Sequence, residues 1–196
     1  MRFRTFALVV AVLLPLSGCG YNRIQALDER TEELKSNIGV ELTNRNQLIP
    51  NLVATVQGAA QFERGTYTDV AKARSGLQEA QQAVSKAVEG GNIAQMSQAD
   101  AALTRQIGTF LNVAVEAYPQ LRATQNFTML QDQLAESENR ISVARRDYNQ
   151  AVREYNTYIR QFPQAITARA TGAERKQPYQ EPAGSEQAPK VEFDQQ

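Results

Sequence analysis

The sequence predicts an all-α protein, an elongated antiparallel four-helix bundle that ends in a disordered carboxyl-terminal tail. Three observations carry this. Apolar residues recur at alternating steps of three and four through four long stretches, the spacing that lines one side of an α-helix. The longest stretch, from Phe127 to Phe162, contains no glycine or proline. Beyond Pro163 the periodicity dissolves into polar residues broken by Pro178, Pro182 and Pro189.

The longest stretch organises the rest. Phe127, Leu130, Leu134, Ser137, Ile141, Ala144, Tyr148, Val152, Tyr155, Ile159 and Phe162 form one narrow stripe, with Asn126 as its expected N-cap and Pro163 as its stop. At 1.5 Å per residue this is a rod roughly 54 Å long, which cannot bury its own stripe and requires partner helices.

The amino terminus reads as a leader rather than as part of the bundle. Arg2 and Arg4 are a short basic region, and Phe6 to Leu16 is an apolar run too short to span a bilayer of roughly 30 Å but suited to a secretory signal. Leu16-Ser17-Gly18-Cys19 resembles the bacterial lipobox. That resemblance implies cleavage after residue 18 and acylation of Cys19, which becomes the first residue of the mature chain. Covalent lipid on Cys19 would be the only prosthetic group expected. More than one acyl chain gives stable anchoring on the outer side of the cytoplasmic membrane. Gly20 is not the Asp that resembles an inner-membrane retention signal, which favours the inner leaflet of the outer membrane in a two-membrane bacterium. An ordinary signal peptide holding a buried Cys is the alternative.

From Asn22, a candidate N-cap, the stripe Ile24, Leu27, Thr31, Leu34, Ile38, Leu42 begins almost directly after the anchor. Pro50 must kink that helix, start a new one or sit beside a turn. Ile49, Val53, Val56, Ala60, Glu63, Tyr67, Val70, Arg74, Leu77 and Val84 continue the spacing, while Gly65 followed by Thr66-x-x-Asp69 resembles a capped break. The expected turn lies at Pro50 or at Gly65. Gly90-Gly91-Asn92 ends the helix after Glu89. Met96, Ala99, Leu103, Ile107, Phe110 or Leu111, and Ala114 give a helix over 93–117, closed by Tyr118-Pro119. The bundle is therefore assigned to 19–163, the signal to 1–18 and a flexible tail to 164–196, in which Val191 and Phe193 could dock back.

Composition excludes several chemistries. There is no His and no Trp, and Cys19 is the only cysteine. Serine or cysteine triads, imidazole or thiolate metal sites and disulfides are excluded by inventory, so no metal is expected. The 21 basic and 21 acidic residues balance, and removing Arg2 and Arg4 leaves about −2. Nucleic acid, which selects a basic face, is not an expected partner.

Charged residues on the stripes are the candidate polar network. Glu63 and Arg74 stand three turns apart, with Arg145 or Glu138 on the last helix as candidate partners; they either set helix register or line a small polar site. In an up-down-up-down bundle, Tyr21 and the terminal Tyr155, Tyr158 and Phe162 gather near Cys19, where aromatic rings suit a lipid interface. The alternative is that Tyr155 and Phe162 pack on Ile24 and Leu27, which leaves Tyr158, off the stripe, as the distinguishing residue.

Several blocks taken in order resemble the LemA family. They are Tyr21-Asn22; Asn44-Arg45 with Leu48-Ile49-Pro50-Asn51-Leu52-Val53; Glu63; Ala73-Arg74; Ala117-Tyr118-Pro119 with Leu121; Asn126-Phe127 with Leu130-Gln131; Glu138-Asn139-Arg140-Ile141 with Ala144-Arg145; Tyr148-Asn149; Tyr155-Asn156; and Phe162-Pro163. The resemblance covers roughly residues 21–163 and adds Arg45 and Asn51 to the candidate interaction set. Departures are Asn44 where a second Arg is usual, Gln120 where an acidic residue is common, and Gly65 in a stretch the family keeps helical. The resemblance implies a membrane-anchored helical bundle facing away from the cytoplasm, with no established enzymatic activity and a TPM-domain membrane protein as a candidate partner.

Three functional readings follow. The first is a non-enzymatic envelope lipoprotein that presents a helical scaffold to other envelope proteins. The second is a homo-oligomeric coiled assembly that shapes membrane. The third is a hydrolase using carboxylates such as Glu63 with Glu138 or Glu116, which a narrow bundle without a deep cleft disfavours.

Overall fold

A computed structural model describes the backbone over residues 2–60 and 67–180 and the side chains over 20–59 and 68–180. Among the described residues five α-helices follow one another: α1 (Arg2–Ala60), α2 (Tyr67–Glu89), α3 (Ile93–Ala117), α4 (Gln125–Tyr158) and α5 (Gln164–Thr171), with a 3-10 turn at Pro119–Ala123 between α3 and α4. No strand occurs among the described residues, so the all-α class stands. Glu63, Gly65, Val191, Phe193 and the side chain of Cys19 lie outside the described residues.

The chain separates into two compact units. One contains Met1–Asn37 and Arg145–Pro178, the other Ile38–Ala144 and Tyr179–Gln196.

In the second unit the last part of α1, all of α2 and α3 and the first part of α4 bury their stripes. Ile38, Leu42, Ile49, Leu52, Leu77, Val84, Leu103, Phe110, Phe127 and Ile141 are all buried. The α2–α3 corner follows the local chemistry the sequence announced. Gly91 takes φ 62°, a left-handed conformation open to glycine, and Asn92 accepts hydrogen bonds from Ala94 N and Gln95 N at 3.0 and 3.1 Å. Phe110 rather than Leu111 occupies the core at its place in the α3 stripe.

In the first unit Ile24, Leu27, Tyr155, Ile159 and Ala168 form a cluster, with Tyr158 and Ala173 packed against it. Thr31 is fully buried on the α1 stripe and satisfies its hydroxyl on Asp28 O at 2.7 Å.

Four expectations are corrected. Of the two places offered for the first turn, Pro50 is excluded and Gly65 lies outside the described residues: helix α1 runs through Pro50, because the ring projects into solvent and the carbonyl it deprives of a donor finds another. Asn22 is no N-cap, since the preceding residues already continue the helix. Helix α4 begins at Gln125, with Thr124 extended before it, so Asn126 lies inside the helix and does not cap it. At its other end α4 stops at Tyr158, four residues short of Phe162, whose side chain is 84% exposed instead of closing the stripe.

The region beyond Pro163, expected as a flexible tail, is ordered at least to Gln180. Pro163 precedes α5 and Gly172 closes it at φ 70°, with its N–H on Ala168 O and Arg169 O. Ala173 N then donates to Ala168 O at 2.9 Å, completing a glycine-capped helix end. Residues 173–180, in neither helix nor strand, form a strap.

Candidate polar sites

A proline inside a helix leaves the carbonyl four residues earlier without its partner. For Pro50 that carbonyl belongs to Asn46. Gln81 of α2 supplies the missing donor, its Nε2 lying 3.2 Å from Asn46 O. The Asn46 side chain replies, donating from Nδ2 to Gln81 O at 3.2 Å and to Ser85 Oγ at 3.0 Å. The defect that Pro50 makes in α1 is thus converted into a reciprocal amide lock on α2.

Immediately before Asn46, the buried side of α1 carries Arg45, with 2% of its side chain exposed. Its guanidinium pairs with Asp100 Oδ1 of α3, equally buried, and with Glu138 Oε2 of α4 at 2.5 Å. Thr104 Oγ1 accepts from Nη1 at 3.1 Å and itself donates to Asp100 O at 3.0 Å. Tyr179 of the strap donates its hydroxyl to the other Asp100 oxygen, and the adjoining Gln180 carbonyl accepts from Ser97 Oγ of α3. The second unit is therefore centred on one buried cation held by a buried carboxylate and by Glu138, whose side chain is 41% exposed. A buried charge pair fixes register more than it adds stability, since only one alignment of α1, α3 and α4 brings the guanidinium to both carboxylates.

The other candidates of the network fall elsewhere. Asn51 is exposed. Arg145 is buried in the first unit. Arg74 is half-buried and lines an open cleft in the second unit with Val53, Val56, Val70, Phe110 and Tyr118, its buried Nε without an acceptor among the described residues. Of the named set, the structure brings together Arg45 and Glu138. Asp100, Thr104 and Tyr179 were missed, for Asp100 and Thr104 are two among many polar residues of α3 and Tyr179 lay in the assigned tail. Glu116 is exposed.

In the first unit the strap is clamped at Lys176. Its ammonium lies 2.6 Å from Glu32 and 3.0 Å from Asp28, both on α1, and 5.6 Å from the centroid of the Tyr155 ring. Asn156 reads the strap backbone as a strand would, donating to Lys176 O at 2.8 Å and accepting from Lys176 N at 2.9 Å. Tyr148 donates to Gln177 O at 2.9 Å. Tyr155 is 3% exposed and packs on Ile24 and Leu27, as one of its two expected roles had it, and Tyr158 is half-buried beside it.

Partial burial pushes the Glu32 carboxyl up, but hydrogen bonds from Lys176 and Lys35 outweigh this and leave it below the ordinary 4.5. Burial pulls the Lys176 ammonium down, and its bonds to Glu32 and Asp28 reverse this and leave it above 10.5. A depressed carboxyl stabilises the fold above its unfolded pKa and loses that contribution as pH falls through the folded value. A raised amine stabilises below its unfolded pKa and loses it as pH rises through the folded value. The clamp is therefore expected at full strength between about pH 5 and pH 10, loosening on the acid side as Glu32 protonates. Amide exchange at Lys176 N–H, corrected for its intrinsic rate, should accelerate below pH 4.5 while that of Leu103 stays constant. Equal behaviour of the two amides would contradict the assignment.

Comparison with known proteins agrees with this architecture. A family model described as the LemA family matches residues 34–193. Magnetosome proteins MamQ 2 and MamQ 1 of Paramagnetospirillum magneticum are each 29% identical over 182 residues, and magnetosome protein MamQ of Magnetospirillum gryphiswaldense is 25% identical over 181. The alignments cover 84% of this chain and 66% of each relative, so the chain spans about two thirds of the length of these curated proteins. The match runs through Arg45, Asp100, Glu138 and Tyr179 and past the strap that seals them: the chain belongs to the LemA family.

Proposed function

We propose that the chain is a non-enzymatic cell-envelope lipoprotein, a helical scaffold tethered through acylated Cys19 that engages other envelope proteins. The observation that carries this reading is where the charged side chains are spent. Arg45, Asp100 and Glu138 join three helices and Lys176 fastens the strap, so the groups best placed for chemistry hold the fold instead. The two glycines and a serine around the lone cysteine, at the end of an apolar run, support the tether. Among the described residues no helix is long and apolar enough to cross a membrane. In this reading the anchor is lipid on Cys19. In it, the four helical segments of the second unit are the four-helix bundle. The inner leaflet of the outer membrane is the proposed location in a two-membrane cell, and a TPM-domain membrane protein is a candidate partner.

The anchor is tested by growing cells with labelled palmitate. The unmodified chain is expected to take up label and fractionate with membranes, and Cys19→Ser to take up none. Label retained by Cys19→Ser would remove the lipoprotein reading. Cross-linking in intact cells then identifies the partner.

The homo-oligomeric alternative draws on Val40, Met129 and Val143, large apolar side chains 46–53% exposed in the second unit. Sedimentation at micromolar concentration separates it from the scaffold reading, since a monomer counts against self-assembly.

A further inference from the structure

Helix α5 carries a feature that neither the fold nor the buried networks use. Its inner face is occupied: Ala168 is 3% exposed in the Ile24–Leu27–Tyr155–Ile159 cluster, and Gly20 packs against Gln164 and Thr167. A Cβ built on Gly20 would lie 3.6 Å from Thr167 Oγ1 and 3.7 Å from Gln164 Cγ, so α5 sits in contact with the first turn of the mature chain. Its other side is open, and two large apolar side chains stand exposed there. Phe162, in the turn leading into α5, is 84% exposed and Ile166, one turn on, is 62% exposed. Tyr21, beside Gly20, is 44% exposed. Arg160 and Arg169, both exposed, flank the pair.

We propose that α5 is a lipid-contacting foot, inserting Phe162 and Ile166 among the headgroups and upper acyl carbons of the monolayer that holds Cys19. The placement identifies the occupant. Gly20 follows the anchoring cysteine directly and touches α5, so lipid attached at residue 19 brings the bilayer surface to this helix and to no distant part of the unit. The chemistry agrees: exposed aromatic and branched aliphatic side chains flanked by arginines fit the boundary between apolar chains and anionic phosphates. A foot of this kind limits how the unit can tilt on its tether. It also assigns a role to the Phe162-Pro163 turn, which releases Phe162 from the α4 stripe and presents it outward.

This proposal rests on the Cys19 anchor, and one preparation separates the two. The chain has no tryptophan, so Phe162→Trp introduces a single reporter. The full chain, purified from membranes and reconstituted in phosphatidylethanolamine–phosphatidylglycerol vesicles, is compared with brominated-chain lipid and without it. Ser36→Trp is the control, exposed on α1 and roughly 24 Å along that helix from Gly20. Both sites are exposed, so neither substitution disturbs packing, and unchanged helical circular dichroism checks this.

The expected result is blue-shifted emission at Phe162→Trp with at least about two-fold more bromolipid quenching than at Ser36→Trp. Equal quenching at the two positions overturns the foot. A blue shift without quenching also overturns it, because protein rather than lipid then covers the position. Palmitate label is measured on the same material. Label with no preferential quenching leaves the anchor standing and removes the foot; preferential quenching with no label removes the anchor and overturns the claim that the Cys19 tether brings α5 to the bilayer, while showing that Phe162 meets lipid by another route.

Discussion

Replacing Arg45 with methionine is expected to destabilise the second unit by about 3–5 kcal/mol, the cost of stranding a buried carboxylate. Asp100 is the reason. It is 1% exposed and keeps the strap hydroxyl of Tyr179 after the substitution, but it loses the guanidinium that neutralises it. Glu138 is affected less, because 41% of its side chain already reaches solvent, and Glu138→Gln should cost less than about 1 kcal/mol. The double change Arg45→Met with Asp100→Leu should recover most of the loss, since removing both charges also removes their desolvation. Thermal unfolding followed by circular dichroism reads the difference as a fall of roughly 6–20 °C for the single variant. A fall no larger than that of Glu138→Gln would mean that Arg45 is not the hub. Tyr179→Phe tests the strap separately, with an expected loss of about 1.5–3 kcal/mol for a hydrogen bond to an ionised buried group.

The parts of this architecture that were legible are those encoded locally. Ile24, Leu27, Thr31, Leu34, Ile38 and Leu42 are all buried, as are Met96, Leu103, Ile107 and Ala114, because a period of 3.6 residues writes the inward face into the sequence itself. Gly91 and Asn92 mark the α2–α3 corner for an equally local reason: one takes the left-handed turn and the other caps the next helix. What escaped was held by long-range partners. Asp100 meets Arg45 across 55 positions and Tyr179 across 79, and nothing near either residue in sequence announces it. The strap is polar and aperiodic, and it is ordered by single anchors such as Asn156 on Lys176 rather than by a stripe. Helix α5 did leave a trace, with Pro163 before it and Gly172 after it, the asymmetry expected of helix ends. Its eight residues carry too few apolar side chains to show a period. The polar set illustrates both cases. Arg45 was singled out through its family block, while Arg74, chosen for its place on a stripe, instead faces an open cleft.

Pro50 offers the second large effect, and its sign is opposite. Proline in a helix interior costs roughly 3 kcal/mol relative to alanine, part of which Gln81 offsets here by donating to the abandoned Asn46 carbonyl. Pro50→Ala restores an N–H to that carbonyl and is expected to stabilise the protein by about 1–2 kcal/mol, the remainder being returned to the unfolded chain as regained freedom. Gln81→Leu in the natural background should cost about 1–3 kcal/mol, because it leaves Asn46 O without a partner in α2 and removes the carboxamide that seats the lock. In the Pro50→Ala background the same change should cost less than about half as much, since the helix then satisfies the carbonyl itself. The interaction energy of this cycle, read from denaturant unfolding midpoints, measures how far α2 compensates for the proline. Additive effects would show that Gln81 packs on α1 without repairing it. Coupling would explain why a helix-breaking residue can sit inside a 59-residue helix, ten residues before its end: the break is mended from the neighbouring helix, and the mend in turn fixes the register of α1 against α2.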